Sequence, residues 1–221
     1  MMHPLLESAL NLLFPQENVC HLCGRWPESG ILCEACMKRL HAQRLAHPSL
    51  HFRTGVLTVV SRWKHRSVPR NLVHLLKYHS DPQAAALLAE GMTAALAEEE
   101  EVLRQAKLII PIPLHPLREQ ERGYNQAELL AREISRTTGL PMRTDLLCRT
   151  RQTGMLAKMN RDERLAAMRG AFAVASSKDV YGRSILLVDD VFTTGATAQA
   201  CADALYQAGA SAVRLITACR A

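Results

Sequence analysis

The sequence predicts an α/β protein built on a parallel sheet flanked by helices, with a small cysteine-rich element on its N-terminal side. Three observations predict it. Ile185 to Val188 (ILLV) is a run of four apolar residues too dense for one wet face, which suits a strand buried on both sides of a parallel sheet. Strand, helix and strand patterns then alternate: ILLV, a helical stretch from Ala198 to Ala208 capped by Gly209, and a final strand from Ala212 to Thr217. Ahead of them, Cys20-His-Leu-Cys23, nine residues and Cys33-Glu-Ala-Cys36 place four of the seven cysteines within 17 residues.

A chain of 221 residues suits one full domain with a small appendage. The boundary is placed after residue 48, with a helix and cysteine ribbon over 1–48 and the main domain over 49–221. The apolar fraction of 48% supports a packed core. The longest apolar runs fall short of a membrane span, and the N-terminus lacks the pattern of a signal peptide, so a cytoplasmic protein without membrane insertion is expected. The net charge of +6 is compatible with polyanionic partners. Two clusters localise it. Ser61 to His79 holds five Lys or Arg and no acid, and Arg149 to Arg169 holds six basic residues against Asp162 and Glu163.

Taken in order, Pro4 to Phe14 (PLLESALNLLF) carries Leu5, Leu6, Ala9, Leu12 and Leu13 at helical spacing, an amphipathic helix expected to pack as a lid on the main domain. The two C-x-x-C knuckles follow. Brought together by a loop, they arrange four thiolates tetrahedrally, which Zn²⁺ accepts because it takes soft sulfur and imposes no competing geometry. Disulfides are disfavoured in the cytoplasm, so metal is the economical account of Cys20, Cys23, Cys33 and Cys36, with a redox dithiol pair as the alternative. Four sulfurs leave no open position for chemistry, so the site is structural. The metal would supply stability that so small a ribbon cannot gain from buried area. His21 could substitute as a ligand, but inside the first knuckle it reads as a bystander to the metal.

Met37 to Phe52 reads as a connector, Gly55 to Val60 as a strand, and Pro69 to Tyr78 as a helix with Pro69 at its first position and Leu72, Leu75 and Leu76 inward. Arg62, Lys64, Arg66, Lys77 and Tyr78 lie within and around them. They are either a solvated basic face or a contact surface for a nucleic-acid backbone, with the Tyr78 ring available for stacking. Pro82 opens a long helix to about Ala106 that takes in the acid run Glu98 to Glu101. A buried strand at Leu108 to Ile112 ends in PIPLHPLREQERGYNQ, where prolines stiffen the chain and Arg118, Arg122 and Gly123 supply cations and a flexible point. Asn125 with Glu128 is a capping box for a helix through Ile134. Thr150 to Phe172 carries a loop with Arg151 and Gln152, then a helical stretch from Asn160 to Met168.

Asp189 and Asp190 emerge at the carboxyl end of the ILLV strand, the edge at which open α/β sheets place ligands. Thr193, Thr194, Gly195 and Thr197 then form a hydroxyl-rich turn into a helix. A glycine lets backbone N–H groups close on an anion, hydroxyls add donors, and the helix start adds a positive field, so the loop reads as a phosphate cradle. Carboxylates repel phosphate unless the ligand also carries sugar hydroxyls or a divalent cation. A purely structural role, with the two acids capping the turn, is the alternative. No G-x-x-x-x-G-K-[ST] and no G-x-G-x-x-G occurs in the chain.

ILLVDDVFTTGAT resembles the signature with which type I phosphoribosyltransferases bind phosphoribosyl pyrophosphate (PRPP). The resemblance implies that Asp189 and Asp190 hold the ribose 2′ and 3′ hydroxyls, while Val191, Thr193, Thr194, Gly195, Ala196 and Thr197 hold the 5-phosphate. It extends along the chain: a cysteine ribbon, Leu76-Lys77-Tyr78, Pro111-x-Pro113 with Arg118 and Arg122-Gly-Tyr-Asn-Gln126, Arg149-x-x-Gln152-Thr153, Gly170-Ala-Phe172 and then the signature. This order is similar to the ComF/GntX family of competence-associated phosphoribosyltransferase homologues. It implies a type I phosphoribosyltransferase-like fold with a zinc ribbon, Mg²⁺ carried with PRPP, and work in DNA uptake during natural transformation. Internalised single-stranded DNA, and other competence or recombination proteins, are the implied partners. Two positions depart from the family pattern. Ala167 stands where the family has Asn, and Thr193 stands where purine-salvage relatives carry an acid.

With PRPP so placed, its pyrophosphate would lie over Pro113 to Arg118, and Arg118 or Arg122 would neutralise charge as it leaves. Transfer would rest on positioning and electrostatics. Threonine is no general base near neutral pH, so binding is better supported than catalysis. Three readings stay open: a PRPP-binding protein that handles incoming single-stranded DNA, a working Mg²⁺-dependent phosphoribosyltransferase with a nitrogenous acceptor, and a zinc-ribbon adaptor that senses PRPP.

Overall fold

A computed structural model describes residues 19–52, 57–79, 81–151 and 161–221, the backbone alone at residues 161, 162 and 165. The Pro4 to Phe14 segment, Gly55 and Gln152 lie outside the described residues. In chain order the elements are α1 (Glu34–His41), β1 (Ser49–Phe52), β2 (Leu57–Lys64), α2 (Ser67–Tyr78), α3 (Pro82–Glu98), α4 (Glu100–Gln105), β3 (Leu108–Pro111) and α5 (Pro116–Arg122). They continue with α6 (Gln126–Thr138), β4 (Leu147–Arg149), α7 (Arg161–Met168), β5 (Phe172–Val174), α8 (Ser177–Val180), β6 (Ser184–Phe192), α9 (Ala196–Gln207) and β7 (Ala212–Arg220).

The main sheet runs β1-β2-β7-β6-β3; β1 is antiparallel to β2 and the other pairings are parallel. β4 and β5 form a separate antiparallel pair. The ILLV run alternates between two cores, as the two-residue period of a strand requires. Leu186 and Val188 pack with Leu72 and Leu76 of α2, Leu88 and Met92 of α3, and Leu130 and Ile134 of α6. Ile185 and Leu187 pack with Cys201 and Leu205 of α9, Leu147 of β4 and Phe172 of β5. The expected parallel sheet with helices on both faces is therefore present. Cys20, Leu32, Cys33, Cys36 and Leu40 belong to the first of these cores, so the cysteine element packs against the helices of that layer.

Several boundaries differ from the sequence expectation. The region read as a connector contains part of α1 and the edge strand β1. β2 continues past Val60 to Lys64 because β7 runs beside it, from Thr58 opposite Arg214 to Lys64 opposite Arg220. α2 starts at Ser67, so Pro69 sits inside the first turn, where its missing N–H costs no helical bond. The helix read from Pro82 to about Ala106 is two helices, broken at Glu99 (φ −113°, ψ 58°). Glu98 turns to Arg62, while Val102 returns to the core. The stretch after β3 holds a short helix, α5, capped by the His115 side chain and closed by Gly123 at φ 82°. Asn125 caps α6, accepting from Ala127 N–H at 3.0 Å while its amide donates to the Ile112 carbonyl at 3.1 Å. The Glu128 carboxylate, expected to complete a capping box, accepts from Arg132 at 2.8 Å instead.

Gly91 illustrates how tightly α3 meets the sheet. A Cβ there would stand 2.0 Å from the Trp63 ring. Alanine ordinarily stabilises a helix interior over glycine by about 1 kcal/mol, but overpacking a filled core costs about 1–3 kcal/mol. Gly91→Ala is expected to lower stability, read as a lower urea midpoint at unchanged slope; a raised midpoint would contradict this packing.

Candidate functional site

β6 outruns its neighbour on one side. Pairing with β3 ends at Pro111 opposite Val188, whereas β7 accompanies β6 as far as Phe192 opposite Arg220. The sequence placed the two acids just past the strand; they are instead its continuation, beyond the point where β3 leaves. Adjacent strand residues point to opposite faces, yet the two carboxylates stay close enough to act on each other.

Asp190 is buried, and its Oδ2 lies 2.7 Å from the Lys77 ammonium at the end of α2. The contact is an ion pair without hydrogen-bond alignment. Asp189 lines a small cavity of about 40 Å³ with Thr193, Gly195, Ala196 and Thr197, and its Oδ1 accepts from the Asp190 N–H at 2.8 Å. It sits deep among protein atoms yet stays in reach of solvent. Burial, and then the charge of Asp190, push its carboxyl pKa well above the usual carboxylate range, with Lys77 pulling the other way. Burial, and then Asp189, likewise raise the thiol of Cys201 on α9.

The loop is built for close approach. Gly195 (φ 79°) precedes α9, and a Cβ there would meet the Phe52 ring at 2.4 Å. No side chain caps α9, and its first residues, Ala196, Thr197 and Ala198, line the same cavity as Asp189.

A second hollow, about 290 Å³, lies between the end of α2 and α5, lined by Lys77, Tyr78, Arg118, Glu121, Arg122 and Tyr124. The structure thus brings Arg118 and Arg122 together with Lys77 and Tyr78. Arg122 stands over the Tyr78 ring at 5.9 Å and donates to the Gln126 side chain. The Tyr124 hydroxyl donates to the Leu76 carbonyl at 2.6 Å, fixing α5 against α2. Lys64 and Arg66 are exposed near the start of α2. Arg62 is not among them: it is buried and paired with Glu98. The larger hollow of about 720 Å³, between the cysteine element, α3 and α6, contains none of these residues.

Two further residues lie near the acids. His65 follows β2, and burial, then Lys77 and Arg70, lower its pKa, against the charge of Asp190. Arg149 of β4 is lowered by burial, and the groups that further tune it are Cys201, Arg118 and Asp189. The sequence marks Arg149 through the Arg149-x-x-Gln152-Thr153 motif and a basic cluster; its burial, which requires the packed β4 and β5 pair, is legible only in the fold.

In the cysteine element, the Sγ atoms of Cys20, Cys23, Cys33 and Cys36 lie within 4.8 Å of one another. Tetrahedral Zn–S bonds of about 2.3 Å place sulfurs roughly 3.8 Å apart, so the four fit a metal ion of that type. The Cys23 and Cys33 sulfurs are 3.5 Å apart, unbonded. Against burial, backbone N–H groups of Cys33, Leu22 and Cys23 bring the Cys20 thiol down to about 6. Burial and neighbouring sulfurs push Cys36 up to about 12. His21 is outside the ligand group, as expected, and has a structural contact of its own. Its Nδ1 lies 2.6 Å from Oδ2 of Asp81, whose Oδ1 caps α3 by accepting from the N–H groups of Gln83 and Ala84.

The DNA utilization protein YhgH of Salmonella typhimurium is 30% identical to this chain over 211 residues, covering 91% of this chain and 90% of that protein. The chain belongs to the ComF/GntX family. Competence protein F of Haemophilus influenzae, a further relative, is 32% identical over 120 residues, covering 54% of this chain and 52% of its own length. The chain thus spans about half of that relative. Among solved structures, the B. subtilis glutamine PRPP amidotransferase aligns with a TM-score of 0.40 at 18% identity, over 64% of this chain and 29% of that one. No family model matches. No helix among the described residues is long and apolar enough to cross a membrane.

Proposed function

We propose that this ComF/GntX family chain binds PRPP with Mg²⁺ at the carboxyl end of β6 and handles internalised single-stranded DNA during DNA uptake in the cytoplasm. The observation that carries the reading is the shared cavity of Asp189 and the open start of α9. There the N–H groups and hydroxyls of Thr193 to Thr197, with Val191 beside them, receive the 5-phosphate, and Asp189 accepts from a ribose hydroxyl. Asp190 is the second ribose ligand, its charge balanced by Lys77. Mg²⁺ carried with PRPP would supply charge neutralisation at this site. Arg118 and Arg122 line the hollow that Lys77 joins to Asp190, and would offset charge on the pyrophosphate. Relatives named for competence and DNA utilization support a role with DNA, as does the row of exposed Lys64 and Arg66.

Cys20, Cys23, Cys33 and Cys36 hold a structural Zn²⁺ in this reading, with the division into 1–48 and 49–221 at the ribbon's end. Other competence or recombination proteins are the proposed partners.

The test is a calorimetric titration of PRPP with Mg²⁺ into zinc-loaded protein and an Asp190→Asn variant. The wild type is expected to bind, and the variant to bind at least about tenfold more weakly, since a charge-assisted hydrogen bond contributes roughly 1.5–3 kcal/mol. Absence of binding to the wild type would refute the reading.

A further inference from the structure

Resting on that reading of PRPP and single-stranded DNA, we propose that the hollow between α2 and α5 is a subsite for one unpaired nucleobase, stacked on Tyr78 and read by Glu121. Tyr78 is a large aromatic side chain that the fold leaves 66% exposed. An exposed tyrosine at a helix end is unremarkable alone; its surroundings are not. His74, one turn earlier, packs against the ring with centroids 4.5 Å apart and holds it from within the helix. The Arg122 guanidinium stands over the ring at 5.9 Å. A planar base in van der Waals contact on both faces needs plates about 7 Å apart, twice a contact of roughly 3.5 Å. Arg122 is about one ångström short of that separation, and its flexible stem can supply the difference. A base slotted there exchanges one ring-to-cation contact for two stacking contacts, one with the ring and one with the guanidinium.

The rest of the lining divides the work. Arg118 and Lys77 put positive charge where the phosphates flanking the base would lie, and Lys77 joins the hollow to Asp190 through their ion pair. Tyr124 holds the wall in place through its bond to Leu76. Glu121 is the acid in this lining. A carboxylate only accepts hydrogen bonds at neutral pH, so it favours a base edge with an exocyclic amine. Adenine, cytosine and guanine have one; thymine presents its N–H between two carbonyl oxygens, which repel the carboxylate. The subsite therefore prefers amino-bearing bases, and it brings that amine to the side of the sheet where Asp190 lies.

The test uses the zinc-loaded full chain and fluorescein-labelled single-stranded hexamers, read by anisotropy. The competitors are dA, dC and dT hexamers and an abasic hexamer of the same charge. Stacking predicts that base-bearing hexamers outcompete the abasic one, that Tyr78→Ala loses roughly tenfold or more in affinity, and that Tyr78→Phe retains it. Glu121→Gln is expected to erase the preference for dC over dT. Equal binding of base-bearing and abasic hexamers, or wild-type affinity in Tyr78→Ala, would overturn the proposal, leaving phosphate contacts alone. Titrating PRPP with Mg²⁺ into the same proteins separates the two readings. PRPP binding retained in Tyr78→Ala, alongside lost hexamer binding, supports the subsite. PRPP binding absent from the wild type, with the hexamer results as expected, refutes the PRPP reading and leaves the subsite standing.

Discussion

Stripping the metal from zinc-loaded protein with a chelator is expected to lower the melting temperature by about 10 °C. The four sulfurs are not a surface ornament. Cys20, Cys33 and Cys36 are buried, and they share a core with Leu32, Leu40, Leu72 and Leu76. Without the ion, that core must hold a cluster in which the Cys20 thiol ionises near 6 while Cys36 is held protonated to about 12. With it, four thiolates share one divalent charge. The His21 contact carries the loss outward, because Asp81 holds His21 with one oxygen and the start of α3 with the other. A metal site that supplies folding energy contributes at least about 3 kcal/mol, and in a chain of this size each kcal/mol moves the melting temperature by about 2–4 °C. Scanning calorimetry with and without chelator, alongside zinc content by atomic absorption, reads the effect. One zinc per chain with identical melting in both states would show that the cluster contributes nothing to the fold.

The residues that announced themselves in the sequence were those whose chemistry is local. Two C-x-x-C knuckles need only their own spacing, and the ILLV run needs only its density to show that both faces are covered. Gly195 needs only the turn it closes. What stayed hidden depends on partners far along the chain. Arg62 looks like its neighbours Lys64 and Arg66, and its burial follows from β2 being flanked by β1 and β7, with Glu98 arriving from α3. By sequence alone β6 ends at Val188, where the apolar run stops and the two acids begin. β7, running on to Arg220, keeps them in the strand, and the strand's alternation then sends Asp189 and Asp190 to different surroundings. The hollow at Tyr78 is closed by α5, which Tyr124 ties back across 48 positions to Leu76. Its members were legible as individual cations and rings, and their meeting was not.

Asp189→Asn is expected to raise stability at neutral pH while weakening PRPP binding. The Asp189 carboxyl is pushed well above its ordinary range by burial and by Asp190. Below about pH 4, the ordinary aspartate value, both the folded and the unfolded chain hold this proton, and the residue has no effect on their balance. As pH rises from there through the raised folded value, the unfolded chain releases its proton while the folded chain retains it. Stability therefore falls across that window, and the loss is complete above the folded value. Asparagine does not titrate, and its carbonyl oxygen can accept the Asp190 N–H as the carboxylate does. The variant should lose this part of the pH dependence and melt about 3 °C higher at pH 7, corresponding to roughly 1 kcal/mol. The same substitution removes the negative charge that a ribose hydroxyl and a divalent cation would use. Melting curves from pH 4 to 8 for both proteins, with and without PRPP and Mg²⁺, read stability and binding together. A variant that melts at or below the wild type, with an unchanged pH profile, would mean that Asp189 carries no strain in the ligand-free fold.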